Sequence, residues 1–424
     1  MRNLRIRLVL FSAYFVFAIL LNSVGTVILQ SITSFGVTKE GASVLEGFKD
    51  LPIAIVSFLV ASWLPRFGYK RAMLAGFALV ALASTAMPLL PGFATAKLLF
   101  LCVGVSFALV KISVYSTIGL ITSGSNQHAS LMNTIEGFFM VGVLAGYWLF
   151  SAFVDPANPA NLSWLNVYWV LAGLSAANIL LLATTRFPPI ERRTADTPGM
   201  AREFAAMIAL AWKPMVAVFL ISAFLYVLIE QGVGTWLPTF NNEVLDLPEA
   251  MSIQATSIFA AALAIGRLSA GALIARLDWY RVLNVCVLAM GVLVVLTLPM
   301  AAAATHGEDI TWFNAPPAAY IFPLVGLFMA PIYPAINSVI LSALPRDRHA
   351  AMAGLIVVFS ALGGTTGSLI TGLTFANFGG QTAFYLSLIP MAGILAALYG
   401  LKRLTAGVSV EPVPEEPAPL PGGK

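Results

Sequence analysis

The chain has 424 residues, of which 59% are hydrophobic and only 10% charged, and its mean hydropathy is +0.89. An ordinary soluble domain is about 25% charged, so these values exclude a disordered chain and a soluble globular enzyme and point to a protein that crosses the bilayer repeatedly. The net charge of +4 does not point to nucleic acid, because the basic residues spread over the loops of one membrane face. Cys102 and Cys286 both fall inside apolar segments, which speaks against a disulfide framework or a thiolate metal site.

A bilayer core takes about 20 apolar residues per helix. The opening run follows Arg2, Arg5 and Arg7 and lacks a small-x-small cleavage site, so it reads as a retained span, not a signal peptide. Predicted spans follow in order at 7–34, 43–65, 71–91, 95–122, 127–151 and 164–185, then at 213–239, 250–275, 281–303, 317–343, 350–375 and 381–402. The polar stretch 186–212, with Arg186, Pro188, Pro189, Arg192, Arg193 and Pro198, reads as a cytoplasmic linker. The Pro-, Glu- and Gly-rich tail 404–424 reads as disordered. The expected fold is an all-α membrane protein, with twelve transmembrane helices in two pseudo-symmetric six-helix bundles, 1–185 and 213–403.

Lys and Arg accumulate on the cytoplasmic side of membrane proteins. Counting from an inner N-terminus, Arg66, Lys70, Arg71, Arg186, Arg192, Arg193, Arg202, Lys213, Arg276, Arg281, Arg346, Arg348, Lys402 and Arg403 all fall on one face with the termini. The other face has Lys39 and Lys97 and is otherwise acidic, with Asp155, Glu243, Asp246, Glu249, Glu308 and Asp309. Both termini are expected in the cytoplasm, and the short loops lean toward a bacterial inner membrane.

Two internal echoes support a duplicated architecture. His128 through Gly146 aligns without gaps on His349 through Gly367, with His, Ala, Ile, Phe and two Gly identical, and both segments open the fifth helix of their half. Arg66-Phe-Gly-Tyr-Lys-Arg71 matches Arg276-Leu-Asp-Trp-Tyr-Arg281 in the loop between second and third helices. On these features the sequence resembles the major facilitator superfamily over about residues 7–403. That family's inner-loop signature is Gly-x-x-x-Asp-Arg-x-Gly-Arg-Lys. Here the basic and Gly positions are kept at Arg66, Gly68, Lys70 and Arg71, and Pro65 stands where the Asp is expected.

A narrower resemblance, to the fucose/glucose proton-symporter branch, rests on Phe224 through Thr239, on Gly266-Arg267 and on Gly326 through Pro334. It implies secondary transport coupled to protons, with Arg66, Arg71, Arg267 and Arg276 as gating residues. That branch carries an acid in helix 1 after a Leu-Asn pair, and another in helix 4. Here Ser23 follows Leu21-Asn22, and Lys111 occupies the helix 4 position.

A charge at the bilayer centre costs at least about 2.5–3.5 kcal/mol on insertion scales, which makes such residues functional candidates. At about 1.5 Å of rise per residue, Lys111 and Glu136 both lie about 4–5 Å to the inner side of centre, so they are expected to pair. Asp50, Glu136 and Glu230 are the candidates for proton coupling, since burial favours the neutral form of a carboxylate. Asp50 shares a face with Glu46 at i, i+4, with Lys49 placed to neutralise either, and a solvated helix end is the alternative expectation for all three.

Asn22, Gln30, Lys111, Tyr115, Asn133, Gln231, Trp236, Tyr333 and Asn337 are the expected substrate-binding residues, Trp236 and Tyr333 by stacking on a ring. Gly142, Gly146, Gly363, Gly364 and Gly367 are expected to let helices approach closely, and Pro331 and Pro334 to bend helix 10. His128 and His349 read as structural loop residues. No Walker loop, zinc motif or convergent catalytic set is present, so neither ATP-driven transport nor an enzyme is expected, and no cofactor or metal. The expected function is alternating-access transport, as a monomer in the lipid bilayer, of a small polar solute such as a sugar together with protons. The alternatives are a small organic anion held by Lys111, efflux of amphiphilic compounds, and a non-transporting sensor.

Overall fold

The computed structural model describes residues 2–61, 64–122, 125–188, 200–302, 310–345 and 348–405. Among these residues every regular element is helical and no strand forms. The elements begin with α1 (Arg2–Asn22), α2 (Val24–Phe35), α3 (Lys39–Ala42), α4 (Leu45–Ala61), α5 (Leu64–Phe67), α6 (Tyr69–Leu89), α7 (Phe93–Ile121), α8 (Ser125–Ser151) and α9 (Val167–Thr184). They continue with α10 (Met200–Ala211), α11 (Pro214–Glu243), α12 (Glu249–Arg276), α13 (Trp279–Ala302), α14 (Ala318–Ile321), α15 (Val325–Met329), α16 (Ile332–Ser342), α17 (His349–Phe378), α18 (Gly380–Tyr385) and α19 (Leu388–Thr405).

Eleven helical segments are long and apolar enough to cross a membrane, and α2 is a shorter apolar helix. α4 fills the second predicted span, but its 17 residues include Glu46, Lys49 and Asp50 as well as Pro52. Three predicted spans are broken. The first divides at Ser23, whose hydroxyl donates to the Leu20 carbonyl (2.8 Å). The tenth divides at Pro323 and at Ala330-Pro331, as expected where proline removes a backbone donor. The twelfth divides at Leu386-Ser387. Within the predicted linker, residues 200–211 form α10, with Met207 and Leu210 buried, while 189–199 lie outside the described residues. Of the predicted tail, 406–424 also lie outside them.

Contacts orient the bundle. Ser12 on α1 donates to Asn178 near the end of α9 (2.6 Å), and Lys70 Nζ donates to the carbonyls of Ala183 and Thr185 (both 2.9 Å). Lys402, near the end of α19, sits 4.2 Å from the Tyr280 ring at the start of α13. The side on which α1 begins and α9 ends, and on which α19 ends, is the termini face. Positions 70 and 280 belong to the second internal echo, and each joins the end of the sixth predicted span of its half. His128 and His349 prove to lie in the first turns of α8 and α17, not in loops. Each reaches back to the preceding segment, His128 to Thr122 (3.4 Å) and His349 to the Leu344 carbonyl (3.0 Å), which accounts for the first echo structurally.

Within residues 2–184, α1 packs on α8, α4 on α7, and α6 on α7 and α9; within 214–405, α11 packs on α17 and α19, α12 on α15, and α13 on α15 and α19. The crossings are close because glycine faces backbone. A Cβ on Gly142 would stand 2.6 Å from the Phe15 carbonyl oxygen, and one on Gly363 2.5 Å from that of Phe224. Between the two sets, α2 meets α11, α4 meets α17, and α8 meets α12.

Side-chain bonds across that boundary gather on the far face, opposite the termini. Lys39 pairs with Glu243 (2.8 Å), and Glu249 accepts from Gln30 (2.9 Å) and Thr33 (2.5 Å). Gln254 donates to Ser151 (3.1 Å), and the Trp148 and Trp312 rings stack 6.3 Å apart at 12°. Large apolar side chains such as Leu82 and Leu180 point outward, 71% and 68% exposed, as a lipid-facing surface requires.

Candidate functional site

Between the two sets of helices lies a cavity of about 260 Å³, lined from α1, α2, α4, α7, α8, α11 and α12. The break at Ser23 places Asn22 and Val24 on its wall. Phe107, Phe139 and Phe259, with Met140 and Leu263, make an apolar side. The polar side carries Asn22, Glu46, Lys49, Asp50, Tyr147, Glu230, Gln231, Thr235 and Arg267.

The charges form two groups. On α4, Lys49 Nζ bonds Glu46, lies 3.5 Å from Asp50, and donates to the Leu21 carbonyl (3.3 Å). Glu46 is fully buried and Lys49 is 5% exposed, so this is not a solvated helix end. Thr235 of α11 donates to the other oxygen of Glu46 (3.0 Å), joining the two sets of helices. In the second group, Arg267 Nη2 donates to Glu230 (3.2 Å), which also accepts from Tyr226 (3.2 Å). Three carboxylates thus face two cations on one cavity wall. Glu46 holds Lys49 and Glu230 holds Arg267, so Asp50 carries the unbalanced charge. A partly dry cavity with one surplus carboxylate favours uptake of a positive charge.

Other expected residues are placed differently. Lys111 and Glu136 do not form the expected ion pair. Tyr115, one turn along from Lys111, donates to Glu136 instead (2.8 Å), and Lys111 Nζ rests 5.7 Å from the Phe107 ring and 5.8 Å from that of Tyr115. Equal depth on two helices does not set the rotation of either, and the tyrosine reaches first. Lys111, Tyr115 and Glu136 lie outside the cavity lining, and Asn133 is exposed on α8.

Gln30 is fully buried against Glu249, away from the cavity. Trp236 is also fully buried: its indole donates to the Ser368 carbonyl (2.9 Å) and its ring packs against Phe375, so it fastens α11 to α17 rather than facing a solute. Tyr333 stacks on Tyr226 (5.2 Å) and bonds Ser360 (2.8 Å), and Asn337 sits beyond it; neither lines the cavity. Of the expected gating residues, Arg71 and Arg276 are exposed on the termini face, Arg267 lines the cavity, and the side chain of Arg66 lies outside the described residues.

Sequence reasoning missed Thr235 and Tyr147; of its two readings of Glu46 and Lys49, a neutralised pair or a solvated helix end, the structure has the pair. The spacing of three between Glu46 and Lys49 is a visible pairing signal, but the hydrogen bond that Thr235 of α11 gives Glu46 comes from 189 residues away in the chain. Gly364 belongs to the same contact: a Cβ there would meet Asp50 and, at 3.2 Å, Gln231. Among the described residues no group of His, Cys, Asp and Glu could hold a metal ion.

The Major Facilitator Superfamily family model matches residues 10–322, and the chain belongs to that family. It is therefore a transport protein, not an enzyme. Its fold is similar to solved structures of the nucleoside transporter NupG (15% identity, TM-score 0.69, covering 94% of this chain and 98% of that one) and of a D-xylose-proton symporter (14%, 0.70, 95% and 98%). It is also similar to the E. coli fucose:proton symporter FucP (16%, 0.59, 93% and 97%). No curated protein matches by sequence.

Proposed function

We propose that the protein is a secondary active transporter whose twelve spans form two pseudo-symmetric six-helix bundles that rock about the central cavity. Its cargo in this reading is a small polar solute, a sugar or similar metabolite, carried with a proton. The observation that supports the reading is the surplus carboxylate on the cavity wall: Asp50 takes the proton, while Asn22, Gln231 and Tyr147 offer hydrogen bonds to the solute. Lys111 lies off the cavity wall and the cavity is net negative, so an organic anion is disfavoured. The apolar wall of Phe107, Phe139 and Phe259 favours one second reading, an amphiphilic cation that supplies the positive charge itself. The Lys/Arg bias supports cytoplasmic termini and the short loops favour a bacterial inner membrane; in this reading the protein acts as a monomer.

The test is proton flux into proteoliposomes loaded with a pH dye, with sugars, nucleosides, organic acids and amines added singly. Proton entry with a neutral solute is the expected result. Amine counterflow without proton movement would support the second reading. No flux and no counterflow with any solute would overturn both.

A further inference from the structure

Arg267 projects from α12 into the cavity and holds Glu230 on its own half, while its other terminal nitrogen reaches across to Met140 Sδ on α8 (4.0 Å). Met140 stands one turn from Glu136 on the same face of α8. Glu136 has the Tyr115 hydroxyl as a partner, and no described cation lies within ion-pair distance of it.

The two helices run antiparallel and are tied near the far face by Gln254 and Ser151. Measured from that tie, Arg267 lies 13 residues along α12 and Glu136 lies 15 residues along α8. At about 1.5 Å per residue these are depths of about 20 Å and about 22 Å. If α8 and α12 close along their length, the guanidinium meets the Glu136 carboxylate almost level.

We propose that Glu136 is the cross-half partner of Arg267, formed when the halves close on the termini face, and that the guanidinium then seals that end of the cavity. The inference rests on the alternating-access reading above. It gives the intramembrane charge of α8 a role: Glu136 holds a closed state and is not a solute ligand. Lys111, near Glu136 but on its own half, has no such cross-half reach.

The experiment uses the full chain in lipid nanodiscs, with Cys102 and Cys286 replaced by Ser and spin labels at Leu120→Cys and Leu404→Cys. Both label sites are exposed at the termini face, one on each half. The unsubstituted pair of carboxylates should give two distance populations, long and short. Glu136→Gln should deplete the short one about three- to fivefold, the range for one modest ion pair. Glu136→Asp should restore it, and Glu230→Gln, which releases Arg267, should enrich it. Two populations indifferent to Glu136→Gln would overturn the pair and leave alternating access standing. A single population under all conditions would overturn alternating access, and the pair with it. A variant that elutes as aggregate is replaced by Arg267→Gln, which must deplete the short population equally.

Discussion

Thr235 on α11 donates its hydroxyl to Glu46 on α4 at 3.0 Å, a bond between the two halves made to a fully buried carboxylate. Beside it, Gly25 of α2 lies against the Thr235 backbone so closely that no Cβ fits. Thr235 thus sits at the centre of the far-side seam. Thr235→Val keeps the shape and removes the donor. Leaving a buried acceptor unsatisfied costs about 1–3 kcal/mol. The expected outcome is a lower Tm in detergent and greater labelling of a cysteine introduced at Glu243 on the far face, with little change in expression. Unchanged Tm and labelling would show that water replaces the bond.

Lys49 is the cation on which both α4 carboxylates depend. Removing one partner of a buried ion pair is destabilising by about 3–5 kcal/mol, whereas removing both partners is far milder. Lys49→Met should therefore yield little folded protein, and Lys49→Met combined with Glu46→Gln and Asp50→Asn should recover most of it. Thermal unfolding of the two purified proteins checks the ordering; equal loss in both would mean that Lys49 acts through packing.

Asp50 and Gly364 are in direct opposition where α4 crosses α17. Gly364→Ala should displace the carboxylate and impair transport at normal protein levels. Gly291→Ala serves as the control, since its Cβ would meet a Leu388 methyl at an ordinary 3.7 Å. Flux assays on the two variants should differ by about tenfold or more, because small misplacements at a site are costly.

Asn22 and Gln231 line the cavity and Lys111 does not. Alanine at either of the first two should raise KM about three- to tenfold, the value of one hydrogen bond. Lys111→Met should leave solute selectivity unchanged. A switch of selectivity in Lys111→Met would restore the organic-anion reading.

The helices were legible in the sequence because their signal is local: a long apolar run flanked by arginines announces itself wherever its neighbours lie. The break at Ser23 was not, since serine is tolerated in continuous helices and its hydroxyl bond back to the Leu20 carbonyl has no sequence signature. Asp50 and Glu230, expected for proton coupling, Asn22 and Gln231, expected for substrate binding, and Arg267, expected for gating, all line the cavity, and they stood out in the sequence because polar groups inside apolar helices are few. Gln30, Trp236 and Tyr333 carry the same signal, yet each is taken up by a neighbouring helix, Gln30 by Glu249 of α12 and Trp236 and Tyr333 by Ser368 and Ser360 of α17. Whether a polar residue turns to a neighbour or to a cavity depends on helix rotation, which depth arithmetic leaves undetermined. The same gap explains why Lys111 and Glu136 match in depth and do not pair.

The stacked rings of Trp148 and Trp312 straddle the far-side seam, one on α8 and the other on the loop before α14. Two indoles 6.3 Å apart couple their electronic excitations, and where their transition dipoles are skewed within the stack the coupling gives a split circular-dichroism band that vanishes as the rings part. The other six tryptophans of the chain add a background that Trp312→Phe would subtract. On the proposed transport cycle the pair is a native optical gauge of opening, readable in unlabelled material and on the timescale of a stopped-flow mixer.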